Sequence, residues 1–131
     1  VFADVLEHLR DPHHVLAQAV DRLAPGGTVV VSLPNIRHVS AIWSIVVRGT
    51  FPRRSRGLFD ETHLRWFTTR DAVGLCAGVG LEVRDVDLNL RLLDAPGGTA
   101  NDWIAGQAWL GRVPLLRQFL GYQIVLTAVR P

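Results

Sequence analysis

Thr28-Val29-Val30-Val31-Ser32-Leu33, entered through Pro25-Gly26-Gly27 and left at Pro34-Asn35, is the stretch whose reading decides the fold. A β-branched run of this length between turn residues reads as a strand. Just before it, Asp11-Pro12 has the form of a helix N-cap with proline at the first helical position. Val15, Leu16, Ala19, Val20 and Leu23 then recur at helical spacing. A helix feeding a short valine-rich strand points to an α/β sheet whose parallel strands are covered on both faces. A parallel strand needs an earlier neighbour, reached by a right-handed crossover. Val1-Phe2-Ala3 is the candidate. So short a strand is expected to be the tail of a longer one, which makes residues 1–131 a single partial domain, the C-terminal part of a larger α/β unit. The alternative is a small complete domain with a very short edge strand.

Downstream, Ile36 to Val47 reads as an amphipathic helix with Ile36, Val39, Ile42, Trp43, Val46 and Val47 on its apolar side. Arg48 to Gly57 is a loop, and Leu58 to Phe67 has no clear period. Thr68 and Asp71 form a capping box that opens a helix ending at Gly78 or Gly80. From Leu81 to Leu92 the apolar phase changes between 83 and 86, which predicts a β-bulge near Arg84-Asp85. Ala95 to Gly98 breaks that strand. Short helices follow at Asp102 to Trp109 and Pro114 to Leu120, then a nearly all-apolar strand from Tyr122 to Val129.

Composition narrows the class. Hydrophobic residues make up 48% and charged residues 20%, which excludes a disordered chain. The single cysteine, Cys76, excludes an internal disulfide framework and fits a reducing compartment. The apolar run around Val39 to Val47 is too short to span a bilayer, and Asp4, Glu7 and His8 near the start do not suit a signal peptide. A cytoplasmic protein without a membrane span is expected. The 14 cationic residues, all arginine, nearly balance 12 acids, leaving +2, so no nucleic-acid partner is expected. The cluster Arg48, Arg53, Arg54 and Arg56 reads as a solvated loop.

Asp4-Val5-Leu6-Glu7-His8-Leu9-Arg10-Asp11-Pro12 resembles the segment after the fourth strand of class I S-adenosylmethionine-dependent methyltransferases. Three further stretches fit the same family in the same order. Leu23 to Gly27 with Val29 to Asn35 is similar to its fifth strand and lead-in. Gly57-Leu58-Phe59-Asp60-Glu61-Thr62-His63-Leu64-Arg65-Trp66-Phe67-Thr68 resembles its aspartate–threonine–histidine–leucine–arginine block. Gly80 to Val83 and Gly121 to Pro131 resemble its last two strands. The resemblance implies the C-terminal half of a Rossmann-like sheet, parallel strands ending in an antiparallel one, with residues 36–68 and 93–121 as acceptor-side insertions. It also implies S-adenosylmethionine as cofactor. The family's glycine-rich cofactor loop has no counterpart here, because Gly78-Val79-Gly80 ends a helix instead of opening one.

By the same resemblance Phe2, Ala3 and Asp4 line the methionine end of the cofactor, beyond the carboxyl end of a parallel strand where open α/β sheets bind ligands. His8 and His63 are the candidate general bases. Asn35, Asp60 and Arg65 are the candidate substrate-binding residues; Asn35 can instead cap a helix, and Asp60 and Arg65 can instead serve as a structural latch. No metal site is expected: His13 and His14 are adjacent and diverge, and Asp11 is occupied as a cap. Glu7 is balanced between a site role and anchoring the turn.

The expected activity of the parent protein is methyl transfer from S-adenosylmethionine to an oxygen or nitrogen of a small-molecule or saccharide acceptor. The chain alone is expected to be inactive. The alternative is a non-catalytic α/β half-domain that self-associates. In either case exposed sheet edges and the apolar bulk between Trp103 and Leu120 predict a homodimer.

Overall fold

Val29, Val31 and Leu33 alternate with more exposed neighbours along Thr28–Pro34, so this strand buries one face. The computed structural model describes residues 1–92, 99–107, 109 and 113–131. Its elements run in chain order β1 (Phe2–Ala3), a short 3-10 turn (Leu6–His8), α1 (Pro12–Asp21), β2 (Thr28–Pro34), α2 (Val39–Ile42), α3 (Thr69–Gly78), β3 (Glu82–Leu90), α4 (Thr99–Ala105), α5 (Pro114–Leu120) and β4 (Gly121–Val129). The sheet order is β1-β2-β4-β3. β1 pairs parallel with β2 through Phe2–Val31 and Ala3–Ser32, and β4 lies antiparallel to both β2 and β3. This is the expected mixed α/β sheet, with three strands in one direction and the last reversed.

The main core lies on one face of that sheet. Val29, Val31, Leu33, Ile124, Leu126 and Ala128 from the strands meet Leu16 and Val20 of α1 and Ala72 and Cys76 of α3. Burial raises the Cys76 thiol to about 11, so it is a neutral apolar filler at neutral pH. The opposite positions of β2, Val30 and Ser32, are only half-buried, so the expectation of a strand covered on both faces is corrected. β2 has also gained a partner along its whole length. β4 returns between β2 and β3, which leaves no open edge on that side.

Arg84 is the extra residue of β3: the register skips from Val83–Ala128 to Asp85–Thr127, which is the expected bulge. α3 begins as its sequence implies. Thr68 Oγ1 accepts from Asp71 N at 3.3 Å, and Asp71 Oδ2 accepts from Thr68 N at 3.0 Å.

The segment after β2 departs from its pattern. The helix spans only Val39–Ile42 and continues as a wider turn over Trp43–Val47, closed by Arg48 N donating to Trp43 O at 3.0 Å. Its inward side is His38, Ala41 and Ser44, whereas Trp43, Val46 and Val47 are exposed at 58, 73 and 58%. The small Ala41 packs with Leu58 and Phe59 in a second core beside Ile36 and Tyr122, and the polar His38 is satisfied locally through Ser40 and Arg91 O. Periodicity alone chose the wrong face. α4 begins earlier than Asp102 and ends before Gly106; the break expected at Ala95 to Gly98 lies outside the described residues.

Replacing Thr68 with alanine should lower stability to urea by about 1 kcal/mol, the usual cost of a lost N-cap. The same cap holds the Asp71 carboxyl below its ordinary 3.8 through the hydrogen bonds from Thr68. Its stabilisation is therefore complete above that value and lost as pH falls through the lower folded value. The gap between the wild-type and Thr68→Ala stabilities should narrow in acid, leaving the share that comes from Asp71 N donating to the Thr68 hydroxyl.

Candidate functional site

The site starts where β1 stops. Asp4 takes a left-handed backbone, φ 51°, which aspartate tolerates better than most residues. Its amide still donates to Ser32 O at 3.2 Å. Its carboxylate accepts from the Gln123 amide of β4 at 2.7 and 3.0 Å, so the turn after β1 is pinned to a strand two places away. The 3-10 turn then buries Leu6 and Glu7 completely and leaves His8 half-exposed.

The loop Gly57 to Phe67 folds back onto this turn. Leu64 N and Arg65 N both donate to Glu7 O, at 2.9 and 3.1 Å. Trp66 Nε1 donates to Leu58 O at 3.1 Å, and Phe51 stands edge-on to Phe59 and Trp66. The loop therefore has its own small core, which carries His63 to the 3-10 turn. The rings of His8 and His63 meet edge to face with centroids 4.7 Å apart.

Hydrogen bonding sets the tautomer of His8. Thr62 Oγ1 gives its hydrogen to Asp60 Oδ1 at 2.6 Å. Both Thr62 oxygens near His8, the hydroxyl at 3.0 Å and the carbonyl at 3.2 Å, can then only accept from Nδ1. Nδ1 of neutral His8 carries the proton, and Nε2 keeps its lone pair. The two bonds from Thr62 also hold the Asp60 carboxyl below its ordinary range.

Glu7 and His63 are arranged differently. Neither Glu7 carboxylate oxygen has a hydrogen-bond partner among the described residues, and neither does His63 Nδ1. Glu7 Oε1 stands 4.0 Å from His63 Nε2, beyond hydrogen-bond range. Burial pushes the Glu7 carboxyl up, and the charge of Asp4 adds to this. Burial, followed by the neighbouring His8, pushes the His63 imidazole down, so it is neutral at pH 7. Among the described residues no arginine pairs with the buried carboxyl. Glu7, His8 and His63 each offer one ligand atom, all within 4.8 Å of one another.

These side chains line a cavity of about 310 Å³ with Asp4, Pro34, Gly57, Asp60, Arg91, Tyr122 and Gln123. That volume suits a small molecule. The structure brings Asp4, His8, Asp60 and His63 together here, as the sequence expectations require of one site. It does not bring the others. Phe2 packs against the main core and Ala3 is exposed. Asn35 is 1% exposed; its amide donates to Gln118 O and Gly121 O, and its carbonyl accepts from Arg37 N. This corrects its substrate-binding assignment, since both amide hydrogens are spent on backbone carbonyls and Asn35 is not among the described residues that line the cavity. Arg65 is corrected likewise. Its guanidinium reaches Arg10 O instead of the cavity, latching the loop to the start of α1. Sequence reasoning did not place Arg91, Tyr122 and Gln123 here; the one signal was Gln123, a polar residue in an otherwise apolar strand.

A methyltransferase-domain family model matches residues 1–86. The chain belongs to that family. The fold of the methyltransferase domain is also seen in solved structures. One is a chain of the complex between the Haloferax volcanii Trm112 methyltransferase activator and a methyltransferase, with TM-score 0.54 and 19% identity, covering 98% of this chain and 52% of that one. Another is a SAM-dependent methyltransferase from Archaeoglobus fulgidus, with TM-score 0.55 and 14% identity, covering 98% and 57%. The chain spans about half the length of each. No curated protein matches it. At these identities the structural likeness bears on the fold, and the family membership implies S-adenosylmethionine as cofactor. No helix among the described residues is long and apolar enough to cross a membrane.

In mildly alkaline solution, long-range ¹H–¹⁵N spectra should show His8 with its proton on Nδ1. Thr62→Val, which removes the hydroxyl and its bond to Asp60 but keeps the backbone N–H to Asp60 and the carbonyl near His8 Nδ1, should raise the share of the other tautomer. An unchanged spectrum would mean that the Thr62 hydroxyl does not set it.

Proposed function

We infer that the protein of which this domain is part transfers a methyl group from S-adenosylmethionine to an oxygen or nitrogen of a small-molecule or saccharide acceptor. The observation that carries this reading is the meeting of His8 and His63 at one cavity, just beyond the carboxyl ends of β1 and β2.

The residues present fit one end of the cofactor. Among the described residues lining the cavity, Asp4 and Asp60 stand against one guanidinium, Arg91, a charge balance that suits a sulfonium cation. Bound there, S-adenosylmethionine supplies an activated methyl group. Asp4, held by Gln123, marks that end of the cavity, with the backbone of Phe2 and Ala3 behind it. The glycines of this sequence form no helix-opening loop to cradle the remainder, so cofactor binding by these residues alone is expected to be weak.

The acceptor enters from the side of the 57–67 loop. Within the proposed acceptor-side segment 36–68, Gly57, Asp60 and His63 line the cavity. Of segment 93–121, no described residue does so. The lone pair of His8 or of His63 receives the acceptor's hydrogen as its oxygen or nitrogen becomes nucleophilic, and much of the acceleration comes from positioning.

Assayed in the longer protein, His63→Ala should lower turnover by about 10²–10⁴-fold, with cofactor affinity measured by calorimetry nearly unchanged. Near-normal turnover would reduce His63 to a loop anchor and leave His8 as the base.

The homodimer expectation draws support from the uncovered side chains of Trp43, Val46, Val47, Trp103 and Leu115. Sedimentation velocity at micromolar concentration should show a dimer. A single monomeric species would remove that assignment without touching the cavity.

A further inference from the structure

Burying a carboxyl group is costly unless a hydrogen bond or a cation compensates it. Among the described residues Glu7 has neither. It is 0% exposed, both oxygens lack hydrogen-bond partners among the described residues, and Oε1 stands 4.0 Å from His63 Nε2. His63 is 9% exposed, and its Nδ1 is equally without a partner. His8, locked by Thr62 through Nδ1, presents Nε2 as a bare lone pair. These are three unspent donors on one wall of a cavity.

We propose that Glu7, His8 and His63 form a binding site for a divalent transition-metal ion, with Zn²⁺ the best match and Mn²⁺ or Fe²⁺ the alternatives of the same chemistry.

Two imidazoles and one carboxylate suit first-row metals, whereas Mg²⁺ and Ca²⁺ prefer all-oxygen shells. The geometry also limits the ion. Ligand bonds of 2.0–2.2 Å at tetrahedral angles place two ligand atoms about 3.3–3.6 Å apart. The ligand atoms here lie within 4.8 Å, so the widest pair closes by about 1.2–1.5 Å when an ion is bound, through side-chain rotation. Outer support is already built. Thr62 orients His8, Asp60 orients Thr62, and the backbone bonds from Leu64 and Arg65 to Glu7 O tie the His63 loop to the other two ligands. Three protein ligands leave coordination positions open to the cavity, where an acceptor oxygen could bind.

The proposal rests on this cluster and not on methyl transfer. With an ion present, the imidazoles would serve as its ligands instead of as free bases, the acceptor's oxygen would bind the open position, and its proton, made more acidic there, would pass to solvent water, while the reaction class is unchanged.

The chain is stripped with a chelator and titrated with Zn²⁺ by calorimetry, and with Co²⁺ by visible absorption. The expected result is one equivalent of Zn²⁺ bound at micromolar affinity or better, a higher melting temperature, and Co²⁺ d–d bands. Glu7→Gln and His8→Ala should each weaken binding at least tenfold, and His14→Ala, outside the cluster, should leave it unchanged. His8 is half-exposed, so its variant should fold; circular dichroism checks each. Absence of saturable binding, or equal affinity in folded Glu7→Gln and His8→Ala, overturns the metal site and leaves the free-base reading above. Stoichiometric metal binding in a longer protein that transfers no methyl group would instead overturn the reaction class and leave the site standing.

Discussion

The carbonyl of Glu7 accepts two backbone N–H groups, from Leu64 and Arg65, and much of the site's geometry depends on that junction. It joins the turn after β1 to a loop nearly sixty residues later, which no local propensity could bring there. Once joined, His63 faces His8, Thr62 reaches His8 Nδ1, and the Glu7 side chain is sealed beneath them. The Arg65 guanidinium on Arg10 O closes the same junction from outside. Backbone donors serve this purpose well, because they hold position whichever protonation state the neighbouring side chains adopt.

The sealed carboxyl gives the junction its chemical character. A burial that pushes Glu7 up and His63 down drives both toward neutrality, leaving a pair without an internal ion bridge. Proteins rarely leave buried polar atoms unmatched, and such atoms point to strain, catalysis or an absent partner. Here they occur at the end of a parallel strand, beside a strained Asp4, in a methyltransferase domain. The second core of Ala41, Leu58 and Phe59 has its purpose in this light, since it gives a loop without regular structure enough packing to hold a histidine in place.

Much of the scaffold was legible from the chain. Asp11-Pro12 and the Thr68–Asp71 box start their helices, because capping is a local interaction between residues three apart. The bulge at Arg84 was visible as a change of apolar phase, because the side-chain period of a strand is two. The 36–47 helix was misread because its inward face is small and polar. Periodicity assumes that apolar residues face the core, and this segment leaves Trp43, Val46 and Val47 outside. Asn35 was drawn toward the site by its place at the carboxyl end of a strand and Arg65 by the resemblance, yet both serve backbone carbonyls, a role that leaves no pattern in a sequence.

The sequence by itself determined the family, the order of the elements and the residues from which a site could be made, since caps, turns, period and motif are all short-range properties. Only the tertiary structure decided which of those residues share a cavity. Asp4, Glu7 and His8 come from one turn, Asp60 and His63 from a distant loop, and Gln123 from the last strand. The burial that leaves Glu7 without a partner exists only once these segments close over it, because desolvation is a property of the assembled environment and not of any residue.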